Sequence, residues 1–217
     1  MLCNLAKETL RDLYAFRQTA LYPPRAVLFV EGETPRGLFV LCTGKAKASA
    51  TSKEGRRVTL RLVEPGEAVG LSNVIANCPY QAAAETMAPS QICFFPRAEF
   101  LRFLQTKGDF AVRIAEYLCK ELHQAWEQTR LLTLAPSARA KLAQLLVDNA
   151  RLHGQNSPGG VRMFLNLTEE EVGETIGVTR ETVCRLLADF RRLQLIRMKG
   201  RGLTLLKPDQ LRLLGSS

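Results

Sequence analysis

Arg180, Glu181 and Arg185 bring two guanidinium groups and a carboxylate onto one short stretch of chain. A guanidinium can donate two hydrogen bonds to O6 and N7 of guanine, and a carboxylate can accept from N4 of cytosine, so these residue types side by side can read base edges. The same three residues also suit a solvated helix face with an i, i+4 ion pair between Glu181 and Arg185. Alone they do not separate the two readings, so the elements that must position them decide.

Residues 168–190 read as two short helices joined by a tight turn. Thr168 and Glu171 form a capping-box pattern, in which each side chain satisfies a backbone N–H of the other. Ile176-Gly177 marks the helix stop, because glycine accepts the positive φ of a C-terminal cap. Thr179 then caps a second helix, whose Val183, Leu186, Leu187 and Phe190 fall on one buried face at spacings of three and four. Arg180, Glu181 and Arg185 lie off that face. A steep helix pair of this kind lays its second helix in the DNA major groove, first residues against the bases, with Thr168 and Thr179 at the helix starts on the DNA side.

Residues 195–206 follow as two apolar runs around Lys199-Gly200-Arg201-Gly202. This predicts a β-hairpin wing with Lys199 and Arg201 at its tip, near a phosphate backbone that they would hold without reading sequence. A plain hairpin with solvated basic tips is the alternative. Beside the helix pair, DNA is the reading the pattern favours.

The chain has 217 residues, 46% of them hydrophobic and 24% charged, enough for one large or two medium domains with proper cores. Its formal net charge of +9 suits a polyanionic partner, although excess charge also serves solubility. No apolar run reaches the roughly 18 residues that would span a bilayer, and the first residues lack a basic region followed by an apolar one. A cytoplasmic protein with no membrane partner is the expectation. Six cysteines, Cys3, Cys42, Cys78, Cys93, Cys119 and Cys184, are scattered without a Cys-x-x-Cys pair, so neither a zinc ribbon nor a disulfide framework is suggested. No metal-ligand spacing, phosphate loop or nucleophile-base pair stands out, so no catalytic residue is assigned and an enzyme is not expected.

Before the helix pair the texture changes three times. Residues 5–19 carry an amphipathic helical pattern ended by Tyr22-Pro23-Pro24. Residues 25–96 hold short apolar or alternating runs separated by glycine turns, the pattern of a sandwich or barrel. Residues 109–134 form a long helical stretch without Pro or Gly. Ala111, Ala115, Leu118, Leu122, Ala125, Thr129 and Leu132 alternate steps of four and three along it, a heptad seam suited to a close two-helix dimer contact. Packing on its own domain is the alternative. A dimer would set two recognition helices about 34 Å apart, one DNA turn. Ala135-Pro136-Ser137 breaks the helix, residues 138–152 form another amphipathic helix, 154–160 read as a polar loop and 163–167 as a strand.

In this order of elements the whole chain resembles the CRP/FNR superfamily of bacterial transcription regulators. Gly32, Gly44, Gly55, Gly66 and Gly70 fall where cyclic-nucleotide-binding β-rolls keep turn glycines, and Thr179-Arg180-Glu181-Thr182-Val183-x-Arg185 matches the family's recognition helix. The resemblance implies an α+β chain: an N-terminal antiparallel β-roll over residues 1–108 (a double-stranded β-helix, jelly-roll-like), a dimerisation helix over 109–134, and a winged helix-turn-helix over 135–217. It also implies a half-site like TGTGA in inverted repeat, with Arg180 on a guanine, Glu181 on a cytosine of the opposite strand and Arg185 on a further guanine. The oxygen-responsive FNR-like branch usually lacks an arginine matching Arg180, so the DNA surface resembles the CRP side.

The sensor end departs from that pattern. Cyclic AMP binders of the family open their phosphate-binding cassette with Gly-Glu-Leu and close it with Arg-Ser or Arg-Thr. Here Gly70-Leu71-Ser72 opens it and Tyr80-Gln81-Ala82 closes it, so Leu71 replaces the ribose-holding glutamate while Gln81 and Ala82 replace the arginine and the hydroxyl. A buried phosphate without its cation is strongly disfavoured, so cyclic AMP is not the expected ligand of these pocket residues. The clustered N-terminal cysteines of the family's iron–sulfur sensors are missing, and His123 and His153 do not mark a haem pocket. No cofactor is identified. Cys78, in the cassette, and Cys184, in the recognition helix where Arg185 and the helix's early turns would lower its pKa, are the redox candidates.

The sequence thus predicts a homodimeric, sequence-specific transcription regulator whose β-roll carries an unassigned signal to double-stranded DNA, with RNA polymerase as a partner if it activates. Two alternatives stand: a regulator that needs no effector, constitutive or inhibited by thiol oxidation, and a cyclic-nucleotide-binding signalling module.

Overall fold

The structure is a computed structural model that describes residues 7–55, 57–165, 167–200 and 202–216, so readings placed on Cys3, Leu5, Arg56, Asn166 and Arg201 lie outside the described residues. The elements run α1 (Lys7–Tyr14), β1 (Gln18–Tyr22), β2 (Val27–Phe29), β3 (Gly37–Thr43), β4 (Ala46–Thr51), β5 (Arg57–Val63), β6 (Ala68–Val69), α2 (Leu71–Ala76), β7 (Ala83–Thr86), β8 (Ser90–Pro96), α3 (Arg97–Thr106) and α4 (Gly108–Leu134). They continue α5 (Ala138–His153), β9 (Gln155–Ser157), β10 (Gly160–Phe164), α6 (Glu169–Ile176), α7 (Arg180–Arg192), β11 (Ile196–Lys199), β12 (Gly202–Leu205) and α8 (Pro208–Ser216). The chain divides into two compact units between Ala125 and Trp126, inside α4.

The first unit is a β-roll of two four-stranded antiparallel sheets, ordered β1-β8-β3-β6 and β2-β7-β4-β5. Between the sheets pack Phe29, Leu41, Ala46, Val63, Val69, Tyr80, Ala84 and Ile92. A second core on the outer face of the first sheet joins Leu13 of α1 and Phe100 and Phe103 of α3 to Phe110, Ile114 and Tyr117 of α4. All five turn glycines named above take positive φ, between 80° and 97°. That geometry is close to free for glycine and strained for other residues, which is why the punctuation was legible.

The helical pattern over residues 5–19 does not persist to its end. The helix stops at Tyr14, and Gln18–Tyr22 becomes a strand with Gln18 opposite Phe94 and Tyr22 opposite Ser90. Ladder bonds to β8 override a periodicity read over too few residues.

In the second unit, α5 is capped by Ser137, whose Oγ accepts from the Ala140 N–H at 3.1 Å, and α8 packs along it. The sheet β11-β12-β10-β9 completes the unit. The segment read as a polar loop supplies β9, paired with β10 through Gly160 opposite Ser157, and the strand expected over 163–167 lies at 160–164. The end of α4 is tied to this unit: Gln128 Nε2 donates to the Thr175 carbonyl at 2.9 Å and Lys141 Nζ to the Leu132 carbonyl at 2.8 Å. No helix among the described residues is long and apolar enough to cross a membrane.

Candidate nucleic-acid interface

The capping box that opens α6 is formed on both sides: the Thr168 N–H donates to Glu171 Oε2 at 2.7 Å, and the Glu171 N–H donates to Thr168 Oγ1 at 3.2 Å. The helix stops at Gly177, in the left-handed region with φ 73°. Thr179 Oγ1 then accepts the Thr182 N–H at 3.3 Å and opens α7. The turn is tight because of a residue the sequence did not single out. A Cβ on Gly173 would sit 2.7 Å from the Val178 carbonyl oxygen, so only glycine lets the backbone beyond the turn pass this close to α6.

Val183, Leu186, Leu187 and Phe190 are buried on one side of α7, packed with Val172 and Ile176 of α6. Burying four such side chains stabilises the pair by several kcal/mol at about 1.5–3 kcal/mol each, ample to hold the outer face in place. Arg180, Glu181 and Arg185 are exposed on that outer face. Thr168 and Thr179 are exposed too, with their hydroxyls engaged as caps. Lys199 is exposed at the end of β11, opposite Gly202 in the hairpin, and Gly200 makes the turn at φ 58°. The structure therefore gathers Arg180, Glu181 and Arg185 on one helix face with the hairpin in the same unit; Arg201 at its tip lies outside the described residues.

Glu169 is the residue that sequence reasoning missed. Its Oε2 accepts a hydrogen bond from Cys184 Sγ at 3.0 Å and pairs with Arg180 Nε at 3.5 Å. The carboxylate holds the Cys184 thiol above the usual thiol range. This corrects the expectation of a lowered pKa: the carboxylate facing the sulfur stabilises the protonated form, and Arg185 is not among the groups that set it. Glu169, Glu170 and Glu171 all stand in the first turn of α6, where negative charge complements the helix dipole. Which of them reaches the next helix is a tertiary fact.

The sensor positions are built differently from a phosphate site. Gly70 has φ 80° and precedes α2, and a Cβ there would meet the Tyr80 ring at 2.7 Å. Leu71 is buried among the outer-face core residues, and Tyr80 stacks on Phe29 at 3.8 Å while its hydroxyl donates to the Gly37 carbonyl at 2.6 Å. Ser72 and Gln81 are exposed and Ala82 half-buried. The cassette thus brings no cation to a buried position at residues 70–72 or 80–82. Asn73 Nδ2 donates to the Pro79 carbonyl at 2.8 Å and approaches Cys78 Sγ at 3.5 Å, closing the loop on itself.

Deeper in the same unit, Arg61 of β5 donates to Glu121 of α4 and to the Ala68 carbonyl. Tyr117 Oη donates to the Ala68 carbonyl at 3.2 Å and accepts the Ala68 N–H at 2.9 Å. Burial pushes the Tyr117 phenol up to about 12. These contacts tie the roll to α4 through the Arg61–Glu121 ion pair and the Ala68 backbone.

Along α4 the residues turned into the core are Phe110, Ile114 and Tyr117. The heptad seam lies beside them. Ala115, Leu122, Ala125 and Thr129 are exposed, Ala111, Leu118 and Leu132 half-buried, and Leu118 also packs on the outer-face core. Trp126, also exposed, was not read as part of the seam.

Residues 20–107 match the Cyclic nucleotide-binding domain, and residues 140–214 match the Crp-like helix-turn-helix domain. Among curated relatives, the Transcriptional activatory protein AadR of Rhodopseudomonas palustris is 28% identical over 89% of this chain and 79% of its own. The CRP-like cAMP-activated global transcriptional regulator of Mycobacterium tuberculosis is 23% identical over 88% of this chain and 84% of its own. Among solved structures, FixK2 from Bradyrhizobium japonicum superposes with a TM-score of 0.79 at 21% identity, over 93% of this chain and 98% of that one.

Proposed function

Because the chain belongs to the CRP/FNR family of transcription regulators, we propose that it binds double-stranded DNA as a homodimer and reads TGTGA-like half-sites in inverted repeat through α7. The observation that carries this reading is the exposed row Arg180, Glu181 and Arg185 on a helix whose opposite face is fully packed. Arg180 and Arg185 each address a guanine, and Glu181 a cytosine of the other strand. Lys199 contacts phosphate and adds affinity without selecting sequence. The partly exposed seam of α4, from Ala111 to Leu132, is the surface for the second copy, and RNA polymerase is the further partner at promoters that the protein activates.

The signal is not cyclic AMP in this reading. A ligand phosphate at the cassette would meet Leu71, Gln81 and Ala82 in place of a carboxylate, a cation and a hydroxyl. Leu71 is instead part of the hydrophobic core, and Arg61, Glu121 and Tyr117 already join the roll to α4. These contacts favour a regulator that holds its DNA-binding form without a cyclic nucleotide.

Fluorescence anisotropy of the purified, reduced, effector-free protein tests both parts. An inverted TGTGA repeat is titrated beside a scrambled duplex at one near-physiological salt concentration, with and without cyclic AMP. Selective binding that cyclic AMP leaves unchanged is the expected result. Equal, weak binding to both duplexes without the nucleotide, made selective by adding it, would overturn the effector reading while sparing the recognition helix. Equal binding under every condition would mean that the half-site is wrong or that an effector other than cyclic AMP is required.

A further inference from the structure

Cys42 and Cys93, far apart in sequence, place their sulfurs 2.9 Å apart. That is closer than the roughly 3.5–4.0 Å at which carbon atoms pack best, although sulfur is the larger atom. The approach has a backbone cause. The β3–β8 register shifts between Leu41 and Thr43, leaving Cys42 as the extra residue of a bulge, while Cys93 sits opposite Val40. Alternation puts residues 40 and 42 on one face, so the bulge carries the Cys42 thiol diagonally onto Cys93. Thr19 Oγ1 of β1 lies 3.4 Å from the Cys93 sulfur on the neighbouring strand. Two inert cysteines filling a core need no such approach.

We propose that Cys42 and Cys93 are a dithiol modification site that peroxide closes to an intramolecular disulfide. Closure needs the sulfurs to move from 2.9 Å to about 2.05 Å. Cys42 is half-buried and Cys93 is 5% exposed, so the oxidant meets Cys42 first. The Cys42 thiolate attacks one oxygen of hydrogen peroxide, the O–O bond breaks, and the departing hydroxide leaves as water with the thiol's proton. Cys93 sulfur then attacks the resulting sulfenic acid, giving up its own proton as the hydroxyl departs as a second water. Two thiols and one peroxide become one disulfide and two waters, and an added dithiol reverses the change. Burial pushes the Cys42 thiol up to about 11, so the reaction near neutrality is slow and answers sustained rather than momentary oxidant. The bond would join β3 to β8 in the sheet whose outer face packs on Phe110, Ile114 and Tyr117 of α4.

The test uses the reduced wild-type chain, treated with hydrogen peroxide at several pH values, blocked by alkylation under denaturing conditions and digested without reductant for peptide mapping. The expected product is one cross-linked peptide joining Cys42 to Cys93 within a single chain. Its formation rate should rise about tenfold per pH unit below the Cys42 ionisation near 11. In Cys42→Ala, Cys93 should be recovered as free thiol. The proposal fails if both cysteines of the wild type are recovered alkylated, if Cys42 proceeds to sulfinic acid beside a free Cys93, or if either links to Cys78, Cys119 or Cys184. The wild-type map decides the matter even where the variant does not fold.

Discussion

The carboxylate of Glu169, first residue of α6, accepts a hydrogen bond from the thiol of Cys184 on α7 at 3.0 Å and also faces Arg180 at 3.5 Å. One side chain therefore links the start of the first helix to two positions of the second, one of them on the proposed base-reading face. Because the carboxylate favours the protonated thiol, Cys184 should alkylate more slowly with iodoacetamide near neutral pH than an unperturbed cysteine. Glu169→Gln should move the alkylation pH profile downward, as read by peptide mass spectrometry. An unchanged profile would mean the hydrogen bond does not form in solution.

Glu169 also bears on inhibition by oxidation. The carboxylate slows attack of the Cys184 thiol on peroxide as burial slows Cys42, and Cys184 faces a carboxylate where Cys42 faces a second thiol, so Cys184→Ser should leave any peroxide-dependent loss of DNA binding unchanged. Protection by that substitution would restore Cys184 as the sensor.

Arg180→Ala and Arg185→Ala should each weaken binding to the TGTGA repeat by roughly 5- to 150-fold, the equivalent of about 1–3 kcal/mol per bidentate base contact, and change binding to a scrambled duplex far less. Lys199→Ala should weaken both duplexes alike and lower the salt dependence by about one counterion. Anisotropy across a salt series separates the two kinds of residue.

Gly173→Ala pits two effects against each other. Alanine gains about 1 kcal/mol of helix propensity over glycine, but its Cβ would sit 2.7 Å from the Val178 carbonyl, a backbone atom that cannot swing aside. Such overpacking costs about 1–3 kcal/mol, so the clash should win. The expected result is a lower unfolding midpoint for the C-terminal unit and weaker DNA binding, measured by thermal unfolding and anisotropy. Higher stability with intact binding would show that the turn has room to open.

Tyr117 gives an alkaline signature. Its folded ionisation is raised from 10.0 to about 12, so the stability it contributes is fully present below pH 10 and is lost as pH rises through about 12. Phenolate absorbance should show a late step near pH 12 beside the delayed ionisation of buried Tyr80, and Tyr117→Phe should remove that late step and flatten the loss of stability over the same window. A titration in which no tyrosine is delayed would place this phenol in water.

Much of the DNA-binding unit was legible because its signals are local. A capping box involves residues three apart, a glycine stop is a single backbone conformation, and the buried stripe of α7 repeats within a few turns. In the roll, the five turn glycines were readable for the same reason, while β6, α2 and β7 were not. They are short, and their pairings, such as Ala84 opposite Ala48, join distant parts of the chain. The helical reading over 5–19 ran into the start of β1 because nothing local announces a strand whose partner lies about seventy residues away.

The amino-acid sequence by itself determined the succession of strand-rich roll, long helix and helix pair, the caps and turn glycines of that pair, which side of α7 is apolar, and the replacement of phosphate-binding residue types at 71, 81 and 82. Each depends on short-range sterics or on residue chemistry. Only the tertiary structure decided that Glu169 faces Cys184, that Arg61 reaches Glu121, that Gly173 clears Val178, and that a bulge brings Cys42 onto Cys93. Those contacts depend on where packed elements cross and how strands register, and a register shift of one residue would break each thiol or ion pair while leaving the local pattern unchanged.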